Sequence, residues 1–274
     1  MPEKYTFPQE KNLENERSLE IKNELIHSLD VIRQADLFND DFLDKSVLVI
    51  FGKEKDHKFE NGEIMEVPKG QFNKMDFMRG RRIDFVGVSS KNEFEEFMEQ
   101  ALKEKHALGL MFLDSPLTYE EFVAHEMAHN LFDKQYVQGI GGYEQTDGIT
   151  DVPDDYREKI KEIVIPLVKE YCPNAVVEKF TFSRQQIAEI FALLHEREFC
   201  RRSTNLEVHN AMEKKLAEFF EDPSKMLNEF NEKNNSNYKM DDLYKENHYL
   251  STIVAPLMEK KYPGWEERMD IFWK

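Results

Sequence analysis

Hydrophobic and polar positions divide the chain into three regions. In residues 1–44 charged side chains dominate, and Leu19, Ile21, Leu25, Leu29, Val31 and Ile32 recur at helical spacing, ending near Leu37. The pattern predicts an N-terminal helical extension, an amphipathic helix packed on the body. An inhibitory pro-segment is the alternative, with no recognisable switch in the sequence to support it.

Residues 45–135 change to an α/β rhythm. Ser46 to Phe51 is a short apolar run that predicts a buried strand ended by Gly52, and residues 53–80 predict a hairpin and loop. Arg82 to Val88 alternates as a second strand. Ser90 then caps a helix through Phe94, Phe97, Met98 and Leu102, and Leu108–Leu113 predicts a third strand. Thr118 followed by Glu121 is a capping box opening a helix from Tyr119 to about Lys134. Phe122, Val123, Ala124, Met127, Ala128, Leu131 and Phe132 leave little of that helix polar, so it should be largely buried.

Residues 136–274 begin with a glycine-rich, acidic loop, Gln138 to Gly148, then a helix near 155–171. The acids Asp147, Asp151, Asp154 and Asp155 do not have EF-hand spacing. Residues 183–274 read as helices broken near Pro223, Asn234-Asn235 and Pro263. The whole predicts an α+β protein, a small mixed β-sheet with one backing helix followed by a mainly helical remainder. No stretch has the length and hydropathy to span a bilayer.

The 274 residues carry 54 acidic and 37 basic side chains, a net charge of −17. That argues against sequence-independent nucleic-acid binding, which needs a positive field. Met1-Pro2-Glu3-Lys4-Tyr5 lacks the basic start and apolar run of a secretory signal, and two cysteines, Cys172 and Cys200, make no disulfide framework. A cytoplasmic protein without membrane or nucleic-acid partners is the expectation.

Only eight histidines occur, and two of them fall in His125-Glu126-Met127-Ala128-His129 on the predicted buried helix. Histidines four apart on a helix are about 40° apart around its axis, so both imidazoles leave one face. That geometry brings two nitrogens to one zinc ion, with Glu126 beside them as a base for water. Burying two imidazoles and a carboxylate without a partner would cost several kcal/mol, roughly; a cation removes that cost. Asn130 and Asp133 follow on nearby faces, where they are either solvated or orient the histidines.

A catalytic zinc takes three protein ligands and keeps one position open. The best third candidate is Glu189. Ser183 and Gln186 form a second capping box, and Glu189 sits among Ala188, Ile190, Ala192 and Leu193, an unusual neighbourhood for a solvated carboxylate. The small residues would let its helix approach the histidine helix closely. Glu196, His195 and His209 are the alternatives, although Glu196 and Glu198, lying among His195, Arg197, Arg201 and Arg202, look like surface.

The segment Val123 to Phe132 resembles the active-site helix of the zincin metallopeptidases, and Glu189 within Ala188-Glu189-Ile190-Phe191-Ala192 is similar to the downstream ligand of the gluzincins. The order of elements resembles the upper lobe of that fold over 45–135, followed by a helical lower lobe over 136–274. The metzincin pattern is excluded, because Phe132 and Gln135 stand where it needs glycine and histidine. Many gluzincins carry an aspartate four residues after the ligand glutamate; here Leu193 stands there.

The resemblance implies a zinc peptidase acting on peptide or protein substrates, with His125, His129 and Glu189 as ligands and Glu126 as general base. An oxyanion donor besides the metal is needed. Tyr143 in the glycine-rich loop is the preferred candidate, with Tyr136, His195 and His209 behind it. Substrate is expected to add as an extended strand along an edge of the sheet, Leu108–Leu113. Two other classes stay open: a non-catalytic, zincin-like interaction protein, and a metal-dependent hydrolase of a non-peptide bond.

Overall fold

The structure, a computed structural model, describes residues 8–52, 55–70, 85–104, 118–132, 154–171, 173, 184–203, 206–245 and 254–255. Among these residues the fold is α+β. Helix α1 (Pro8–Gln34) and the short α2 (Asp40–Lys45) precede strands β1 (Val47–Phe51), β2 (Asp56–Glu60), β3 (Glu63–Val67) and β4 (Phe85–Ser89). Helices α3 (Lys91–Glu104), α4 (Tyr119–Phe132), α5 (Asp154–Tyr171), α6 (Arg184–Arg202), α7 (Leu206–Glu221), α8 (Pro223–Asn234) and α9 (Met240–Lys245) follow.

The sheet is mixed, in the order β3-β2-β1-β4, with β1 antiparallel to β2 and parallel to β4. Its hairpin turns on Asn61 and Gly62, both with positive φ (52° and 76°), the backbone of a two-residue type I′ turn. Gly52 ends β1 because a Cβ there would lie 2.3 Å from the carbonyl oxygen of Lys55. Central β1 is buried on both faces: Leu48 and Ile50 join the main core, and Val49 packs with Val47, Phe51 and Val67 on the other side.

Alpha1 belongs to that main core. Ile21, Leu25, Ser28 and Ile32 form its buried stripe at spacings of three and four, continued by Ala35 just past its end, and the helix packs on α4. Leu19, expected on the packed face, is instead 56% exposed; it lies two residues, about 200°, from Ile21 and so points the opposite way. Phe97 on α3 is likewise exposed, while Phe94 and Met98 one turn apart are buried. Asn235 ends α8 in the left-handed conformation, and Pro223 opens it behind the Asp222 cap.

Alpha6 is the central helix. Every residue from Ile190 to Cys200 is buried, including His195, Glu196, Arg197 and Glu198. The surface setting expected for Glu196 and Glu198 is therefore corrected: both carboxylates are buried, Glu196 against His125 and Glu198 against Arg201 and Arg202. Glu198 accepts from Arg201 Nε (2.7 Å) and Arg202 Nε (2.6 Å), and Arg202 goes on to the Ala35 and Asp36 carbonyls at the end of α1. Leu108–Leu113, Asp133, Tyr136, Tyr143, the glycine-rich loop, Ser183, the side chain of His209 and Pro263 lie outside the described residues.

Candidate metal centre

The site is built where α4 packs on α6, the most extensive helix–helix contact among the described residues. The capping box fixes the start of α4: Thr118 N donates to Glu121 Oε2 (2.9 Å) and Glu121 N to Thr118 Oγ1 (3.2 Å). Tyr119 Oη donates to the Ser89 carbonyl (2.8 Å), tying the helix to the end of β4. Ala124 and Ala128 on α4 and Ala192 on α6 are all fully buried. Such small residues let two backbones come close enough for polar side chains to meet between them.

The helices run antiparallel, and their polar residues pair as rungs. His129 meets Glu189, His125 meets Glu189 and then Glu196, and Glu121 lies by Cys200 and Glu196. On α4 these rungs are four residues apart, one helical turn. On α6 they fall at 189, 196 and 200, again on one face.

His125, His129 and Glu189 come together as a set able to hold a metal ion, with ligand atoms all within 4.8 Å of one another. The two Nε2 atoms are 3.1 Å apart, and Glu189 brings Oε2 to 3.5 Å from His125 Nε2 and Oε1 to 3.4 Å from His129 Nε2. Neighbouring donors around a tetrahedral zinc with bonds of 2.0–2.1 Å lie about 3.3–3.4 Å apart. Two imidazoles and a carboxylate at this spacing fit such an ion.

Nitrogen tautomers point the same way. The other ring nitrogen of His125, Nδ1, is 2.8 Å from Glu196 Oε2, and an ionised carboxylate only accepts, so Nδ1–H is the donor. When the ring gives up its second proton to bind a cation, the lone pair is therefore bared on Nε2, facing His129 and Glu189.

Electrostatics make the cluster select positive charge. Burial disfavours the His125 imidazolium, yet hydrogen bonds with Glu189 and Glu196 prevail and push its pKa up to about 10. For Glu189 burial would raise the pKa, but hydrogen bonds with His125 and His129 hold the carboxyl well below the usual range. Glu126, half-buried, is pushed up by burial; His129 and His125 oppose this, and Glu189 and Glu196 add to it. Behind the histidines, burial raises the Glu121 carboxyl to about 7 and pushes the Cys200 thiol up.

Other candidates separate from the cluster. His195 is turned inward: its Nδ1 donates to the Phe191 carbonyl (2.9 Å), and its ring packs between Phe38 and Phe191. Asn130 is buried. Glu196, considered as a third ligand, sits on the far nitrogen of His125, a position that the sequence reading did not consider. Its seven-residue spacing from Glu189, two turns on one helix face, is the signal that points to it. No described helix is long and apolar enough to cross a membrane. No protein-family model, no curated protein and no solved structure matches the chain, so the chemistry of the site carries the functional reading.

Proposed function

We propose that this chain is a zinc-dependent metallopeptidase of zincin-like fold, with the two-histidine, one-glutamate ligand set of the gluzincins. One observation carries the reading: a glutamate from α6 meets both histidines of the His-Glu-x-x-His helix, one carboxylate oxygen on each, with the donor atoms close enough to share one metal ion. His125 and His129 would hold the ion through Nε2 and Glu189 through its carboxylate. Three protein donors leave a fourth position for water or substrate, as catalytic zinc requires and structural zinc does not.

Bound there, zinc supplies Lewis acidity toward a carbonyl oxygen and toward water. Glu126 is the general base. Standing between the two histidines on α4, it would accept a proton from the attacking water and release it to the leaving amine nitrogen. Tyr143 is retained as the candidate donor to the tetrahedral oxyanion. The substrate is a peptide or protein; the net charge of −17 disfavours nucleic acid.

Elemental analysis of protein never exposed to chelator should find about one zinc per chain. Glu126→Gln should keep that zinc and lose peptide hydrolysis by about 10²- to 10⁴-fold. A chain that holds no zinc and takes none up on titration overturns the reading. Zinc-loaded protein inert on a broad peptide panel but active on another amide or ester moves it to the non-peptide hydrolase.

A further inference from the structure

Glu196 is a buried carboxylate, its side chain 4% exposed, whose Oε2 lies 2.8 Å from His125 Nδ1. It stands two turns beyond Glu189 on the same helix, while Leu193, one turn beyond, packs in the hydrophobic core. Glu121 from α4 is close enough for the two carboxylates to repel each other.

We propose that Glu196 is the positioning residue of the metal centre, accepting the Nδ1–H of His125 and thereby fixing both the ring plane and the tautomer that bares Nε2 toward His129 and Glu189. The proposal rests on the metal-site reading above and adds a residue to it. A neutral histidine free to rotate would divide its proton between two nitrogens and its ring among several orientations. Only one combination places a lone pair at the metal position, and a partner that removes the others strengthens binding without touching the ion.

Helix α6 thereby carries two functions on one face. Glu189 offers its carboxylate to the ion, and Glu196 holds the histidine that does the same from α4. A rotation or slide of α6 against α4 would loosen a direct ligand and an orienting group together. Glu198, two residues on, turns instead to Arg201 and Arg202 and has no place in the site. It is equally buried on the same helix, which makes it the matched control.

Zinc affinity, measured by competition with a chromophoric chelator on the full chain, should weaken about 10- to 100-fold in Glu196→Ala. It should weaken less in Glu196→Gln, whose amide oxygen still accepts from Nδ1–H. Circular dichroism and thermal unfolding check that each variant is folded, and the isosteric Gln variant keeps the test open should Ala fail to fold. Nitrogen-15 shifts of the zinc-loaded protein should show His125 protonated at Nδ1 in the wild type, with altered Nδ1–H shielding in Glu196→Gln. Glu198→Gln should change stability and leave zinc affinity alone. Folded Glu196 variants that bind zinc as tightly as wild type overturn the positioning role. Wild-type protein that binds no zinc overturns the metal centre itself, a different and separately visible failure.

Discussion

His125 on α4 and His195 on α6 are both withdrawn from water, and their surroundings drive the first toward the cation and the second toward the neutral ring. His125 meets two carboxylates, which outweigh its burial and raise its pKa to about 10. His195 meets a carbonyl and two phenylalanine rings; burial there prevails over the Phe191 hydrogen bond and lowers its pKa to about 4. The comparison separates a buried histidine that completes a core from one that waits for a cation. Burial alone suppresses charge; only the partners decide whether the position selects it.

The largest effects should come from dismantling the charged side of the comparison. His125→Ala, His129→Ala and Glu189→Ala should each lose bound zinc and with it all hydrolysis, read by elemental analysis and a peptide assay. Thermal stability should fall as well, because metal binding and folding are coupled. Full metal and activity in Glu189→Ala would show that Glu189 is not the third ligand.

His195 tests the other side. His195→Phe keeps an aromatic ring in the slot and should leave zinc content and turnover unchanged; loss of either would make His195 part of the site and collapse the contrast. Its pH signature follows from the lowered pKa. The unfolded chain binds this proton near pH 6.5 and the folded chain only near 4, so stability is present above 6.5 and is lost as pH falls toward 4. That loss is on the order of 3 kcal/mol. Denaturant unfolding between pH 7 and 4.5 should show an acid slope in the wild type that is shallower in His195→Phe.

The smallest effect probes the local stability of the site helix. Thr118→Ala removes the hydroxyl that caps Glu121 N and should cost about 0.5–2 kcal/mol in unfolding free energy. Zinc content should stay at the wild-type level, since neither histidine moves; reduced zinc would mean that the cap sets the position of the ligands.

Much of the site was legible because helix geometry is local. Four-residue spacing puts His125 and His129 on one face, Thr118 and Glu121 announce the helix start, and alanines beside Glu189 announce a close neighbour. Glu196 was hidden because its burial is decided by α4, more than sixty residues away in sequence. The flanking Arg197, Arg201 and Arg202 gave the run the look of a solvated face, whereas Glu198 and the α1 carbonyls take up the Arg202 charge inside the fold. The same limit explains Leu19: an apolar residue off the packed stripe has the hydropathy of its neighbours and a different direction. The strand runs Ser46 to Phe51 and Arg82 to Val88 and a hairpin within 53–80 were visible, but strand order depends on pairings that no local pattern encodes.

The contact between His125 and Glu196 joins positions 71 residues apart. Closing a loop of that length costs the chain about 4 kcal/mol of configurational entropy, which the contacts between the two helices must offset in the folded state. An ion gripped from both helices would offset that cost by binding the folded chain and not the unfolded one, so the stability of the pairing would rise with free metal concentration. The pairing of α4 with α6 is then the contact at which chelation would first release the two helices.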